Sequence, residues 1–138
     1  MIVMSLTHNL KDVQRKIRML RNLSRKMHRA GSKPAAEVVK NDAVGLAPVD
    51  TGALRDSIRV EKPGRQKRGG LIPGYGVTAG SESVPYAKPV EYGGRDKKRL
   101  DLAYMEPAFD RTLERQQVVY NEEAGKVAAK DMRRIRRS

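Results

Sequence analysis

The amino-terminal segment carries a helical pattern that constrains the fold more than any other feature of the chain. At about 100° per residue, its apolar residues fall on one side of a helix that runs from residue 6 to about residue 29: Leu6, Leu10, Val13, Ile17, Leu20 and Met27. Cationic residues fall on the other side: Lys11, Arg15, Arg18, Arg25 and Arg29. The pattern predicts one amphipathic helix with a basic stripe.

Cap and breaker residues predict where this helix ends. Gly31 is suited to cap its carboxyl end, because glycine accepts the left-handed conformation found there. Ser32 and Pro34 are suited to the start of a second helix, which Pro48 would stop. We therefore expect two helices before residue 48.

The centre of the chain predicts short mixed elements. Asp50 and Thr51 can accept hydrogen bonds from a following turn, so residues 51–57 are expected to form a short capped helix. Residues 58–61 alternate as a strand should, and residues 71–78 contain a second, interrupted strand. The basic, glycine-containing loop at residues 62–70 is expected to face solvent.

The carboxyl-terminal part predicts more helix. Residues 85–92 fit a short helical turn, followed by a charged loop at residues 95–99. A long helix is expected from Pro107 onward, with a drifting apolar face. Its last turn holds the arginines of residues 133–137, where the helix dipole favours cations.

The amino-acid composition limits which classes of protein the chain can belong to. A chain of 138 residues fits one domain, and its 4% of aromatic residues predict a modest, aliphatic core. The net charge of +13 favours nucleic acid, an acidic partner or an anionic surface, although it also serves solubility. The chain has no cysteine, which excludes disulfides and thiolate chemistry. No secretory signal or membrane span is recognisable, so we expect synthesis in the cytoplasm.

Catalysis finds little support in the residue pattern. The two histidines, His8 and His28, fall on roughly opposite faces of the first helix, so they cannot share a metal ion. No hydrolase nucleophile motif or phosphate loop is recognisable. Caps, helix-end charges and surface ion pairs are sufficient roles for the isolated carboxylates: Asp50, Asp56, Glu91 and Glu106. We predict no enzymatic activity, no cofactor and no metal site.

Nucleic-acid binding is favoured only in its non-specific form. The basic helix, the loop at residues 65–68 and the carboxyl-terminal arginines could each contact phosphates by charge alone. No zinc finger, ribonucleoprotein motif or clear helix-turn-helix pattern accompanies them. Contact with DNA is therefore compatible with the sequence, whereas sequence-specific reading is not supported.

Three blocks in the middle of the chain carry a family resemblance. They read Pro48-Val49-Asp50-Thr51-Gly52-Ala53-Leu54, then Pro85-Tyr86-Ala87 with Glu91-Tyr92-Gly93, then Met105-Glu106-Pro107-Ala108. In these blocks the chain resembles the tail-component, or neck, family of long-tailed bacteriophages. The motif positions to which the resemblance gives a structural role are Pro48, Asp50, Thr51, Gly52, Leu54, Tyr86, Glu91, Gly93 and Pro107.

The resemblance implies both a fold and a function. The implied fold is α+β, with a small antiparallel sheet flanked by a long N-terminal helix and a long C-terminal helix, in a single domain over residues 1–138. The implied function is that of a non-enzymatic virion protein, assembled in the host bacterial cytoplasm. It would complete the tail and join the head connector to the tail tube, within a homo-oligomeric ring around the DNA channel.

The resemblance also implies partners. These are further copies of the chain, head-side connector or stopper proteins, and a tail terminator or tail tube protein, with non-specific DNA contact and no membrane. Candidate channel or partner contacts are Arg65, Lys67, Arg68, Arg95, Lys97 and Lys98, of which the first three are favoured for the channel. The basic helix could instead meet an acidic neighbour. Two alternatives stay open: a cytoplasmic, non-sequence-specific nucleic-acid-binding protein, and a tail terminator that stops tube growth.

Overall fold

Five helices and a two-stranded sheet make up the described part of the chain. The computed structural model describes residues 2–49, 52–65, 67–68, 70–92 and 103–137, with residues 2–8 described by their backbone alone. The elements are α1 (Ile2–Leu46), α2 (Ala53–Ser57), β1 (Arg59–Glu61), β2 (Gly76–Thr78), α3 (Ala87–Tyr92), α4 (Met105–Arg111) and α5 (Leu113–Arg136). The strands pair antiparallel, with Val60 opposite Val77. The predicted α+β class, with a small antiparallel sheet and two long flanking helices, is confirmed.

The predicted break in the N-terminal helix at Gly31 is wrong. Helix α1 continues through this residue to Leu46. A Cβ atom at Gly31 would lie only 2.7 Å from the ring of Tyr120 in α5, which is closer than packed atoms allow. The glycine is therefore needed for the close approach of two helices, and it does not end one of them.

Ser32 and Pro34 also lie inside α1, although they were expected to start a new helix. The Ser32 hydroxyl oxygen accepts a hydrogen bond from the backbone N–H of Tyr75, at 3.1 Å. Pro34 removes one backbone hydrogen bond of α1, at a cost of about 3 kcal/mol in a helix interior. Packing of α1 against α4, α5 and the sheet compensates for this loss.

The carboxyl-terminal helix, which was predicted to be continuous, is broken at Thr112. Its backbone angles there, φ −104° and ψ 4°, separate α4 from α5. The buried Thr112 hydroxyl donates to the carbonyl oxygen of Ala108 at 2.6 Å. The Gln116 amide nitrogen donates to the carbonyl oxygen of Phe109 at 2.8 Å. Side chains thus satisfy carbonyl groups at the break between the two helices.

The core lies where the carboxyl-terminal half of α1 meets the shorter elements. Its buried members come from α1, α2, α4 and the segments around the sheet: Val39, Ala43, Ala47, Leu54, Ile58, Val84, Ala87, Tyr104 and Ala108. Ala43 and Ala108 are fully buried, so small side chains allow close packing here. Among the side chains that the structure describes, Tyr104 is the largest that is fully buried. The core is modest and mainly aliphatic, as the composition predicted.

Candidate functional site

The first sequence block forms the corner between α1 and the sheet. Gly52 has a φ of 81°, a left-handed conformation that glycine adopts without a steric penalty. Its carbonyl oxygen accepts the backbone N–H of Asp56 at 3.1 Å, which starts α2. Leu54 is buried in the core and Pro48 is half-buried at the end of α1. Asp50 and Thr51, the predicted capping residues, lie outside the described part of the chain.

The second and third blocks are joined by Glu91. This buried carboxylate accepts the backbone N–H groups of Tyr104, Met105 and Glu106, each at 2.8 Å. The next residue, Pro107, has no N–H. Because a helix start normally leaves its first backbone donors unpaired, Glu91 together with Pro107 completes the amino terminus of α4. The predicted motif residues Glu91 and Pro107 thus act as one structural unit.

Tyr104, at this junction, is almost completely shielded from solvent. Burial, followed by the nearby Glu91 carboxylate and Tyr92, raises the pKa of the Tyr104 phenol to about 12. The phenol is therefore neutral at physiological pH. Tyr104, which was not among the predicted motif residues, packs in the core beside the Glu91 junction, whereas Tyr86, the aromatic residue of that set, is exposed.

No catalytic centre is evident in the described residues. Among them, no three His, Asp or Glu side chains come together as a metal site would require. His28 Nδ1 lies 2.9 Å from the Tyr120 hydroxyl, which gives this histidine a structural partner between α1 and α5. Asp56 and Glu106, which the sequence offered as isolated carboxylates, are both exposed.

An apolar groove lies between α1, β2, α4 and α5. It has a volume of about 410 Å³, and its lining includes Ala35, Val39, Val77, Met105, Phe109 and Tyr120. Phe109 is 49% exposed. This feature, hereafter the groove, is assembled from four separate elements, and no sequence pattern indicated it.

A second exposed apolar surface runs along the amino-terminal half of α1. Leu10, Val13, Ile17 and Leu20 are each between 46% and 57% exposed. The sequence correctly placed them on one side of a helix, but α5 packs against a different side, where Leu23 is buried. These four residues, hereafter the α1 stripe, have no covering element among the described residues.

The two basic helices converge at one end of the molecule. α5 runs antiparallel to α1, and Lys26 of α1 forms an ion pair with Asp131 of α5 at 2.8 Å. The carboxyl end of α5 lies against Met19 and Leu23. Exposed cations from distant parts of the sequence therefore lie at the same end of the molecule, hereafter the basic end: Arg18, Arg21, Arg25, Arg133, Arg134 and Arg137.

The predicted channel contacts occupy a different surface. Arg65, Lys67 and Arg68 are exposed in the connection between β1 and β2. The Gly70 backbone N–H donates to the Lys67 carbonyl oxygen at 3.0 Å, which forms a turn beside them. Four further predicted positions lie outside the described residues: Gly93, Arg95, Lys97 and Lys98. No described contact brings the loop together with the basic end.

Comparison with known proteins identifies the class of the chain. A family model described as "Bacteriophage HK97-gp10, putative tail-component" matches residues 11–93, which is more than half of the chain. The chain therefore belongs to this family of bacteriophage tail components. No curated protein and no solved structure matches it. Among the described helices, none has the length and apolar character that a bilayer crossing requires.

Proposed function

We propose that the protein is a neck component of a phage or prophage virion, where it completes the tail and joins the head connector to the tail tube. Family membership carries this proposal, because the match covers α1 from residue 11 onward, the sheet and the first two sequence blocks. The third block is held to the second by Glu91. The three blocks thus support one folded unit, and the proposed role is structural and non-enzymatic.

The proposed assembly is a ring of identical subunits around the DNA channel. A ring subunit needs two different surfaces, each complementary to the other on the next subunit. The α1 stripe and the groove are two such apolar surfaces on different parts of the molecule. Further proposed partners are connector or stopper proteins on the head side, and the tail terminator or tail tube protein on the other side.

We assign the loop that carries Arg65, Lys67 and Arg68 to the channel lumen. Diffuse positive charge can hold DNA without reading its sequence, because affinity for phosphates comes from counterion release. Arg65, Lys67 and Arg68 are exposed and lie outside the described helices and strands, so they could reach the DNA without disturbing the core. Arg95, Lys97 and Lys98 are proposed as further contacts.

Charge reversal in this loop tests the channel assignment. The triple variant Arg65→Glu, Lys67→Glu, Arg68→Glu is expected to lower the yield of DNA-filled infectious particles by at least about tenfold, since six units of charge are changed where DNA passes. DNA packaged per particle and plaque titre are the measurements. The matched control is the triple variant Lys33→Glu, Arg115→Glu, Lys130→Glu. It changes the net charge by the same amount, at exposed positions on helices. Unchanged titre and DNA retention in the loop variant would remove the lumen assignment.

A second candidate function is non-sequence-specific nucleic-acid binding. The observation that favours it is the basic end, where arginines from α1 and α5 are brought together. Tight binding of duplex DNA by the purified protein at physiological salt, with a steep salt dependence, would support this candidate. The tail terminator is a third candidate, which shares the ring geometry and differs in its effect on tail length.

A further inference from the structure

The α1 stripe has the form of a docking helix. Leu10, Val13, Ile17 and Leu20 follow the spacing i, i+3, i+7 and i+10, which places them on one face. The end of α5 lies against Met19, so the part of α1 ahead of this residue extends beyond α5. About half of each stripe side chain faces solvent. A helix of this form commonly binds by laying such a face into an apolar groove.

The groove on the same chain is a suitable binding site for such a helix. It is open, apolar and about 410 Å³ in volume, so it can accept side chains from a partner helix. Phe109 in its lining and the nearby Leu113 in the chain are each about half exposed. These side chains extend the apolar surface at the junction of α4 and α5.

The described residues around the two surfaces differ in the sign of their net charge. At about 100° per residue, two exposed cations flank the stripe on α1: Arg21, and Lys16, which also lies 3.1 Å from Asp12. On α4 and early α5, exposed carboxylates outnumber exposed cations by three to two: Glu106, Asp110 and Glu114 against Arg111 and Arg115. Glu106 and Asp110 directly follow the lining residues Met105 and Phe109 in the chain. Stripe-to-stripe pairing would bring like charges together, whereas stripe-to-groove pairing brings opposite charges together.

A subunit cannot fill its own groove with its own stripe. The stripe lies on α1, and His28 and Val39 of the same uninterrupted helix form one wall of the groove. A continuous helix cannot fold back on itself, so the occupant has to come from another molecule.

We propose that the α1 stripe of one copy of this chain docks into the groove of the next copy. Such a contact joins two different patches, so it is heterologous and propagates head to tail until rotation closes a ring. The inference rests on the proposed ring function and names the surfaces that would form it.

Cysteine cross-linking tests this contact cleanly, because the chain has no cysteine of its own. Ile17→Cys and Phe109→Cys are introduced together, and purified particles that carry only this variant are treated with a flexible bismaleimide. The expected result is a ladder of covalent dimers, trimers and larger multimers. Each single variant is expected to give monomer alone. The pair Asn22→Cys and Phe109→Cys is the matched control, since Asn22 lies on the side of α1 near α5.

A charge placed in the stripe provides an independent test of the same contact. In the Ile17→Cys, Phe109→Cys background, Val13→Glu is expected to reduce the multimers at least about tenfold, because it buries an unpaired carboxylate in the groove. Asn22→Glu adds the same charge elsewhere on α1 and is expected to leave the ladder unchanged. Equal thermal unfolding temperatures of the two variants show that both are folded.

Three results would overturn the docking proposal. A dimer from Ile17→Cys alone would indicate symmetric pairing of α1 helices. If particles contain the double variant but give no ladder, the stripe-groove contact is wrong, while the proposed neck function is unaffected. Normal particles that lack the protein altogether would reject the neck function together with the contact.

Discussion

Replacing Glu91 with alanine is expected to lower the free energy of unfolding by about 4 kcal/mol, because three backbone donors lose one shared, charged acceptor. The N–H groups of Tyr104, Met105 and Glu106 all point at this carboxylate. Glu91 is buried, so water cannot fully replace the lost oxygens. Chemical denaturation followed by circular dichroism gives the measurement.

Two further variants separate the acceptor role of Glu91 from general effects of substitution. Glu91→Gln keeps one acceptor oxygen and is expected to cost about half as much as Glu91→Ala. Glu82→Ala removes an exposed carboxylate from the turn before α3, and it is expected to change stability by less than about 0.5 kcal/mol. A loss below about 1 kcal/mol for Glu91→Ala would contradict the assigned role of this residue.

Replacing Gly31 with alanine is expected to destabilise the protein by about 2 kcal/mol, although alanine favours helices. The added Cβ atom would lie 2.7 to 2.9 Å from three ring atoms of Tyr120, so α1 and α5 would have to move apart. This overpacking outweighs the gain of roughly 1 kcal/mol that alanine usually brings to a helix interior. Thermal and chemical unfolding measure the difference.

Gly45 offers a matched control on the same helix. A Cβ atom there has no neighbour within 4 Å, so Gly45→Ala is expected to raise stability by up to about 1 kcal/mol. The two glycines of α1 are therefore predicted to respond to the same substitution with opposite signs. A stabilising effect of Gly31→Ala would show that α5 does not pack this closely on α1.

Local sequence patterns predicted which helices and strands exist better than they predicted where these elements begin and end. The apolar period of α1, the short strands and the helical turn near Tyr86 followed from residue spacing alone. Gly31 and Pro34 are strong local break signals, yet α1 passes through both because Tyr120 and the sheet pack against it. Thr112 gives no comparable signal, although its side chain and that of Gln116 stabilise the break between α4 and α5.

The sequence blocks marked motif positions, but no sequence pattern showed the surfaces that the fold builds. The blocks identified Gly52, Leu54 and Glu91 as structurally important, and the structure gives each a physical role. The acceptor role of Glu91 depends on a segment distant in sequence, so spacing could not reveal its partners. Periodicity likewise showed that Ile17 shares an apolar face, but it could not show that α5 covers a different side of α1. The groove required the complete fold, because four elements build it.

Electron microscopy of a lysate made after deletion of this gene from its phage or prophage tests the joining function most directly. If the protein joins heads to tails, the lysate will contain DNA-filled heads lying beside free tails of normal length, and supplying the gene in trans will restore infectious particles. Overlong tails would instead assign the protein to tail termination. Intact, joined and infectious particles in the deletion lysate would contradict the account.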